Sequence, residues 1–326
     1  MNGATGLLDF DAETLTSALR AVYTHWTVVE GKFVMLDYTS SDGSGRTARN
    51  RASWEWNVLV DEVERDLEKT KTISVDYESE TAKSRWAVIV AASYGWANYR
   101  HQADALYLYH LLKNLKEPKD RYDDDHIILI LADDIATGWR NKKPNEIYAR
   151  LNGENLYTND VQIDYLLSEL TSDDMVKIMK GETIDVTIRS TDKELHPKLV
   201  ETPTAMSDSE NKRFRKMLII AEPCYSASVL HVAEGFTGVL AFTAASGSES
   251  SFADLYSVEL KVWLSNRFTH NFTDKIASDR TIVYADLYKF LVLNTIGSHV
   301  QLFNAEHFGN LYVTFPAEFF DMSLAN

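Results

Sequence analysis

Four uninterrupted apolar runs of strand length constrain this chain more than any other feature. They are Trp86-Ala-Val-Ile-Val-Ala-Ala-Ser93, His126-Ile-Ile-Leu-Ile-Leu-Ala132, Met217-Leu-Ile-Ile-Ala221 and Gly238-Val-Leu-Ala-Phe-Thr-Ala-Ala245. Apolar residues at every position, rather than at alternate ones, mean strands buried on both faces. Between the first two runs, Arg100 to Leu115 has helical periodicity. That strand–helix–strand order predicts an α/β fold with a doubly wound, mostly parallel sheet. Ligands of such sheets bind beyond the carboxyl ends of the strands. Asn98, Asp133 and Cys224 all fall at such ends.

The third run stops abruptly at Glu222, Pro223 and Cys224, and small polar residues follow. Cys224 is the only cysteine in 326 residues, so it has no disulfide partner within the chain. A free cysteine is most often a small buried hydrophobe; its place at a strand end instead suggests a thiol delivered into a crevice. The net charge of −15 argues against nucleic acid or an anionic membrane surface as a partner, since both require cationic patches. No apolar run approaches the ~18 residues of a membrane span. The start, Met1-Asn-Gly-Ala-Thr-Gly, has neither a basic region nor an apolar core of a secretory signal. Asp133 and Asp134 read as caps of the connection after their strand. Neither a His nor a further acid lies at ligand spacing from them, so no metal and no cofactor is expected.

The remaining segments are less sharply patterned. Glu13 to Thr24 has helical spacing behind Asp11, Lys32 to Asp37 reads as a strand, and Trp54 to Leu67 as an amphipathic helix. The polar stretch 70–84 marks a boundary, giving a small α+β segment over 1–83, of unassigned role, and a main domain over 84–326. Further on, Val161 to Tyr165 is expected as a strand and Asp173 to Met179 as a helix. Val258 to Phe268 and Val283 to Leu293 are expected as helices, and Leu311 to Thr314 as a last strand.

Several motifs converge on one family. They are Asn98-Tyr-Arg-His-Gln-Ala-Asp104, Asp133-Asp-Ile-Ala136 and Asn152-Gly-Glu-Asn-Leu-Tyr157, then the Glu-x-Cys-x-Ser of Glu222 to Ser226, and Thr243-Ala-Ala followed by Glu249-Ser-Ser251. In this order they resemble the legumain and glycosylphosphatidylinositol-transamidase family of cysteine peptidases, in the clan of caspases and gingipains. The resemblance covers residues 84–320. Gly297-Ser-His-Val300, Asn304-Ala and Asn310-Leu-Tyr312 look more like bacterial members than plant or animal ones. The resemblance implies a caspase-like three-layer α/β/α sandwich and an endopeptidase cutting peptide or protein substrates after Asn, less often Asp. It makes Cys224 the nucleophile and Asn98 the group that orients a catalytic histidine. It gives the substrate pocket Arg100, Glu222, Ser251 and Asp254. A pocket of both charge signs suits the Asn amide, which donates and accepts. His101 reads as support for the pocket or core and not as the base. Export to a periplasm or cell surface is a further expectation of the resemblance.

One part of the pattern is missing. A thiol needs a base or a charge-stabilising setting to act at neutral pH, and the family's base is the His of a His-Gly pair after a buried strand. No His-Gly dipeptide occurs here. That strand should lie between the runs at 86–92 and 217–221. Three accounts are open. An internal segment of the natural protein is absent from this sequence. Or another strand, such as 32–37, fills the gap in a catalytically inactive module that binds peptide or protein. Or His196 or His231 serves as base.

Overall fold

The computed structural model describes residues 5–7, 22–29, 32–40, 63–75, 85–115, 121–180, 184, 214–230 and 234–320; for the first three stretches the backbone alone is described. Three antiparallel strands, β1 (Thr5–Leu7), β2 (Val22–Val29) and β3 (Lys32–Ser40), make one sheet in the order β1-β2-β3. A helix, α1, runs over 63–68. It buries Val63 and Leu67 in the main core, and Thr70 just beyond it receives the Leu311 N–H.

The apolar runs form two parallel half-sheets. β4 (Ala87–Ala91) pairs in parallel with β5 (Ile127–Leu131), which pairs in parallel with the short β6 (Tyr165–Leu166). Helix α2 (Tyr99–Lys113) connects β4 to β5, and α3 (Ser172–Lys180) follows β6. β7 (Met217–Ala221) pairs in parallel with β8 (Val239–Thr243), with the short α4 (Ala227–Leu230) between them. A hairpin of β9 (Ala253–Ser257) and β10 (Val262–Asn266) leads into α5 (Arg267–Ser278) and α6 (Tyr284–Asn294). β11 (Gln301–Phe303) closes the second half-sheet antiparallel to β8, and α7 (Ala317–Phe320) ends the described chain. β5 and β8 are buried at every position, as their unbroken apolar character requires. One core joins both halves: Leu129 and Leu131 belong to it with Leu240 and Phe242, beneath Tyr99, Leu106, Phe268 and Leu287.

Several elements differ from the sequence-based expectation. Val258 to Phe268 is not a helix. Residues 262–266 are a strand, with Val262 and Leu264 buried, Trp263 exposed between them, and Ser265 and Asn266 buried against α2. Leu311 to Thr314 is not a strand; Leu311 is buried in a turn that anchors the residues after α1. Val22 to Thr24 belong to β2 rather than to a helix, and residues 13–21 lie outside the described ones. The short strand near 161–165 sits at Tyr165–Leu166.

The strand at 32–37 does not fill the expected gap. It pairs with β2 in the separate antiparallel sheet, over eight residues of register with one irregularity at His25/Trp26. Among the described residues β4 therefore pairs only with β5, and β7 only with β8 on one side. All five residues of β7 remain partly accessible, and Val90 of β4 is exposed. Asp185 to Arg189, His196 and His231 lie outside the described residues.

Candidate active site

β7 ends at Ala221, and the chain turns at once into α4. The turn is locked to the end of β8. Ser226 is fully buried; its Oγ donates to the Ala245 carbonyl and accepts from the Ala245 N–H, both at 3.1 Å. Tyr225 takes a left-handed conformation, φ 58°, and its N–H donates to the Glu249 carbonyl at 2.8 Å. Such a φ is uncommon for a non-glycine residue and persists where the surroundings fix it. The result is that Cys224 stands exposed at the carboxyl end of β7. Its Sγ lies 3.8 Å from Ser251 Oγ and 3.9 Å from the Ser251 carbonyl oxygen. Partial burial pushes the thiol pKa up. Hydrogen bonding at the Ser251 backbone and at the Ser250 and Ser251 side chains, with the Arg100 charge, outweighs it and leaves the thiol below its ordinary value.

Arg100 lies in the first turn of α2. Its Nε donates to Asn266 Oδ1 at 2.8 Å and its Nη1 to the Ala97 carbonyl at 3.2 Å. Glu222 is partly buried and lies within its electrostatic reach. Its Oε2 accepts from the Thr269 N–H at 3.0 Å and from the Thr269 hydroxyl, while its Oε1 is buried with no partner among the described residues. Burial, and then the Asp104 charge, push its carboxyl well above the usual range, against the opposing pull of Thr269 and Arg100. Arg100 thus acts electrostatically on both the thiol and Glu222.

The structure brings Cys224, Ser251, Arg100 and Glu222 into one region, and leaves Asn98 and Asp254 otherwise engaged. Asn98 precedes α2 and donates from Nδ2 to the Tyr94 carbonyl at 2.9 Å. No described histidine hydrogen-bonds to Asn98 or to Cys224 Sγ. Asp254 faces His270 Nδ1 at 2.9 Å and Arg267 at 4.0 Å. The residue on Arg100 is Asn266, at the end of β10. Asp104, one turn along α2, accepts from Asn266 N and Nδ2, both at 2.8 Å, and from Ser265 Oγ. His101 Nδ1 lies 3.1 Å from Asn266 Nδ2, and burial with the Arg100 charge holds it down to about 4, a neutral supporting role. Sequence reasoning missed Asn266, Thr269 and Asp104. Asp104 carried a signal, since it shares the buried face of α2 with Ala103 and Leu106 and so had to find partners. Asp133 and Asp134 cap their connection: Asp133 accepts from the Gly95 N–H at 3.2 Å and from Gln102, and Asp134 from the Ala136 N–H at 3.2 Å and the Tyr157 hydroxyl at 3.0 Å.

A model of the Peptidase C13 family matches residues 85–198 and 191–316. The chain belongs to that family. Its two matching pieces meet at 191–198, in the interval where the sequence lacks the expected His-Gly pair. The α/β architecture with its mostly parallel strands is the caspase-like fold of C13 cysteine peptidases. A putative GPI-anchor transamidase of Caenorhabditis elegans is 31% identical over 57% of this chain and 65% of its own length. Legumain of Rattus norvegicus is 29% identical over 62% of this chain and 51% of its own. Hemoglobinase of Schistosoma mansoni is 29% identical over 74% of this chain and 61% of its own. The chain thus spans about half to two thirds of the length of these curated relatives. They are animal proteins, so the expected nearness to bacterial C13 members finds no support in them. No described helix is long and apolar enough to cross a membrane.

Proposed function

We propose that this C13 chain is a cysteine endopeptidase of the legumain type, cutting peptide or protein substrates after Asn or Asp through attack by the Cys224 thiolate. The observation that carries the reading is the exposed Cys224 with Arg100 and the half-satisfied Glu222 in electrostatic reach of one another. Sγ adds to the scissile carbonyl carbon, the amine leaves with a proton from the protonated base, and water hydrolyses the thioester. The base is a histidine outside the described residues, oriented by Asn98. Arg100, pinned by Asn266 and Ala97, fixes the substrate side chain, and the unpartnered Glu222 Oε1 completes its recognition. Residues 84–326 form the peptidase domain and 1–83 a segment of unassigned role, whose α1 packs into that domain's core. Relatives named for GPI-anchor transamidase and hemoglobinase fit a protein substrate.

The test is a peptide carrying Asn before a thiol-reactive electrophile. Incubated with the folded, reduced chain, it is expected to label Cys224 alone, with labelling abolished by Cys224→Ala. Absence of labelling in a folded, reduced sample overturns the reading.

A further inference from the structure

The charge around Arg100 differs from that of a pocket in which a carboxylate neutralises the guanidinium. The group that holds Arg100 Nε is the neutral amide of Asn266, itself almost wholly buried. Arg100 forms no salt bridge among the described residues, and its Nη2 makes no hydrogen bond there. Arg100 acts by charge on His101, Glu222 and the Cys224 thiol, and Asp104 lies behind Asn266. His101 is neutral. Asp104 is committed: its two oxygens take Ser265 Oγ, Asn266 N and Asn266 Nδ2, and Arg150 adds its charge nearby. Glu222 receives both Thr269 donors on Oε2, which leaves Oε1 to carry the proton when the acid is neutral. Burial and the Asp104 charge favour that neutral form. The groups not yet engaged are then an Arg100 N–H and the Glu222 O–H. Both donate, and donors beside a cation complement a carboxylate better than an amide.

We propose that Asn266 sets the selectivity of this site: by holding Arg100 without neutralising it, it leaves the guanidinium to pair with an acidic side chain, so that at neutral pH the site takes Asp before the scissile bond at least as well as Asn. The proposal rests on the peptidase reading above and adds the substrate class to it.

Matched peptides with Asn, Asp or Ala at that position test it, by cleavage with the full chain and by binding to the Cys224→Ala variant at pH 7.5. The Asp peptide is expected to be cleaved with a kcat/KM no lower than that of the Asn peptide. Asn266→Asp is expected to lower the Asp-to-Asn ratio by about tenfold or more, equivalent to one like-charge contact of order 1.4 kcal/mol. That variant sets a carboxylate against Asp104; should it fail to fold, Glu222→Gln takes its place, since a permanently neutral side chain is expected to keep the ratio. A wild-type preference for Asn above about tenfold, or a comparable fall in the ratio in Glu222→Gln, overturns the proposal. Should no peptide be cleaved, the peptidase reading fails, and binding still decides this inference. Asp bound at least as tightly as Asn supports it; Asn bound more tightly, or neither bound, overturns it.

Discussion

Cys224 and Ser226 are two residues apart and bear opposite relations to the fold. The thiol is exposed, with Ser250 and Ser251 beside it, whereas the hydroxyl is sealed between two backbone groups of Ala245. Cys224→Ala should therefore change stability by no more than about 0.5 kcal/mol, the range of surface substitutions. Ser226→Ala should cost about 1–3 kcal/mol, because it strands the buried Ala245 N–H, while the carbonyl keeps the Ala227 N–H and the Thr243 hydroxyl. Urea denaturation of the two variants checks the contrast. Loss of probe labelling without loss of stability in the first, and the reverse order of stabilities, separates chemistry from scaffold. At this scale the sequence was informative about identity and less so about pairing. Cys224, Glu222, Ser251 and Arg100 were legible because the motifs lie at strand ends and a helix start. The partner of Arg100 was not, since Asp254 and Asn266 lie twelve residues apart in sequence, on the two strands at the open end of one hairpin. Only the register that sets Ser265 opposite Asp254, with Asn266 next along the strand, decides which one reaches α2.

At the scale of elements, His270 ties the start of α5 to β9. Its Nδ1 lies 2.9 Å from Asp254 and its Nε2 3.0 Å from Asp274, which Arg150 also holds. The bonds to Asp254 and Asp274 raise its pKa from the ordinary 6.5 to about 9, against burial and Arg150. A base whose pKa rises on folding contributes stability that is complete below its unfolded value. That contribution is lost as pH climbs through the folded value. The stabilising effect of His270 should thus be full below pH 6.5 and fade through about pH 9. His270→Gln should lower the denaturation midpoint clearly at pH 6 and much less at pH 10, as measured by urea melts at both. A second brace joins the loop after β8 to the one before β11. Glu249 Oε2 meets His299 Nδ1 at 2.7 Å, and Oε1 accepts the Ser246 N–H at 2.9 Å. Because the Glu249 carbonyl also holds Tyr225, this brace supports the turn that presents Cys224. The misassigned helix at 258–268 shows why elements are read less securely than runs. A short hairpin and the helix after it share apolar residues that fit both a period of two and one of 3.6.

Across the whole molecule, the two half-sheets share one core but not, among the described residues, one ladder. Bonds from Met217 N to the Gly238 carbonyl and from Ala244 N to the Ala221 carbonyl turn alternate residues of β7 toward β8. Alternation then points the Leu218 and Ile220 N–H groups to the other edge. With β7 partly accessible to water, these two amides should exchange at least about tenfold faster than those of Ile219 and Ala221, because unpaired groups exchange through smaller openings. Hydrogen exchange resolved by residue checks it; equal protection would show that a further strand pairs there.

The sequence by itself determined the four strands, the helix between the first two, the family and the position of the thiol. Those features are written in local pattern: apolar runs bounded by polar residues, and motifs in fixed order. The tertiary structure alone decided that Asn266 holds Arg100, that Asp254 goes to His270, and that strand 32–37 pairs outside the parallel sheet. Each of these depends on which distant segments come into register. Register is set by the burial of whole strand faces and by the satisfaction of buried polar groups, energies that no short stretch of sequence contains.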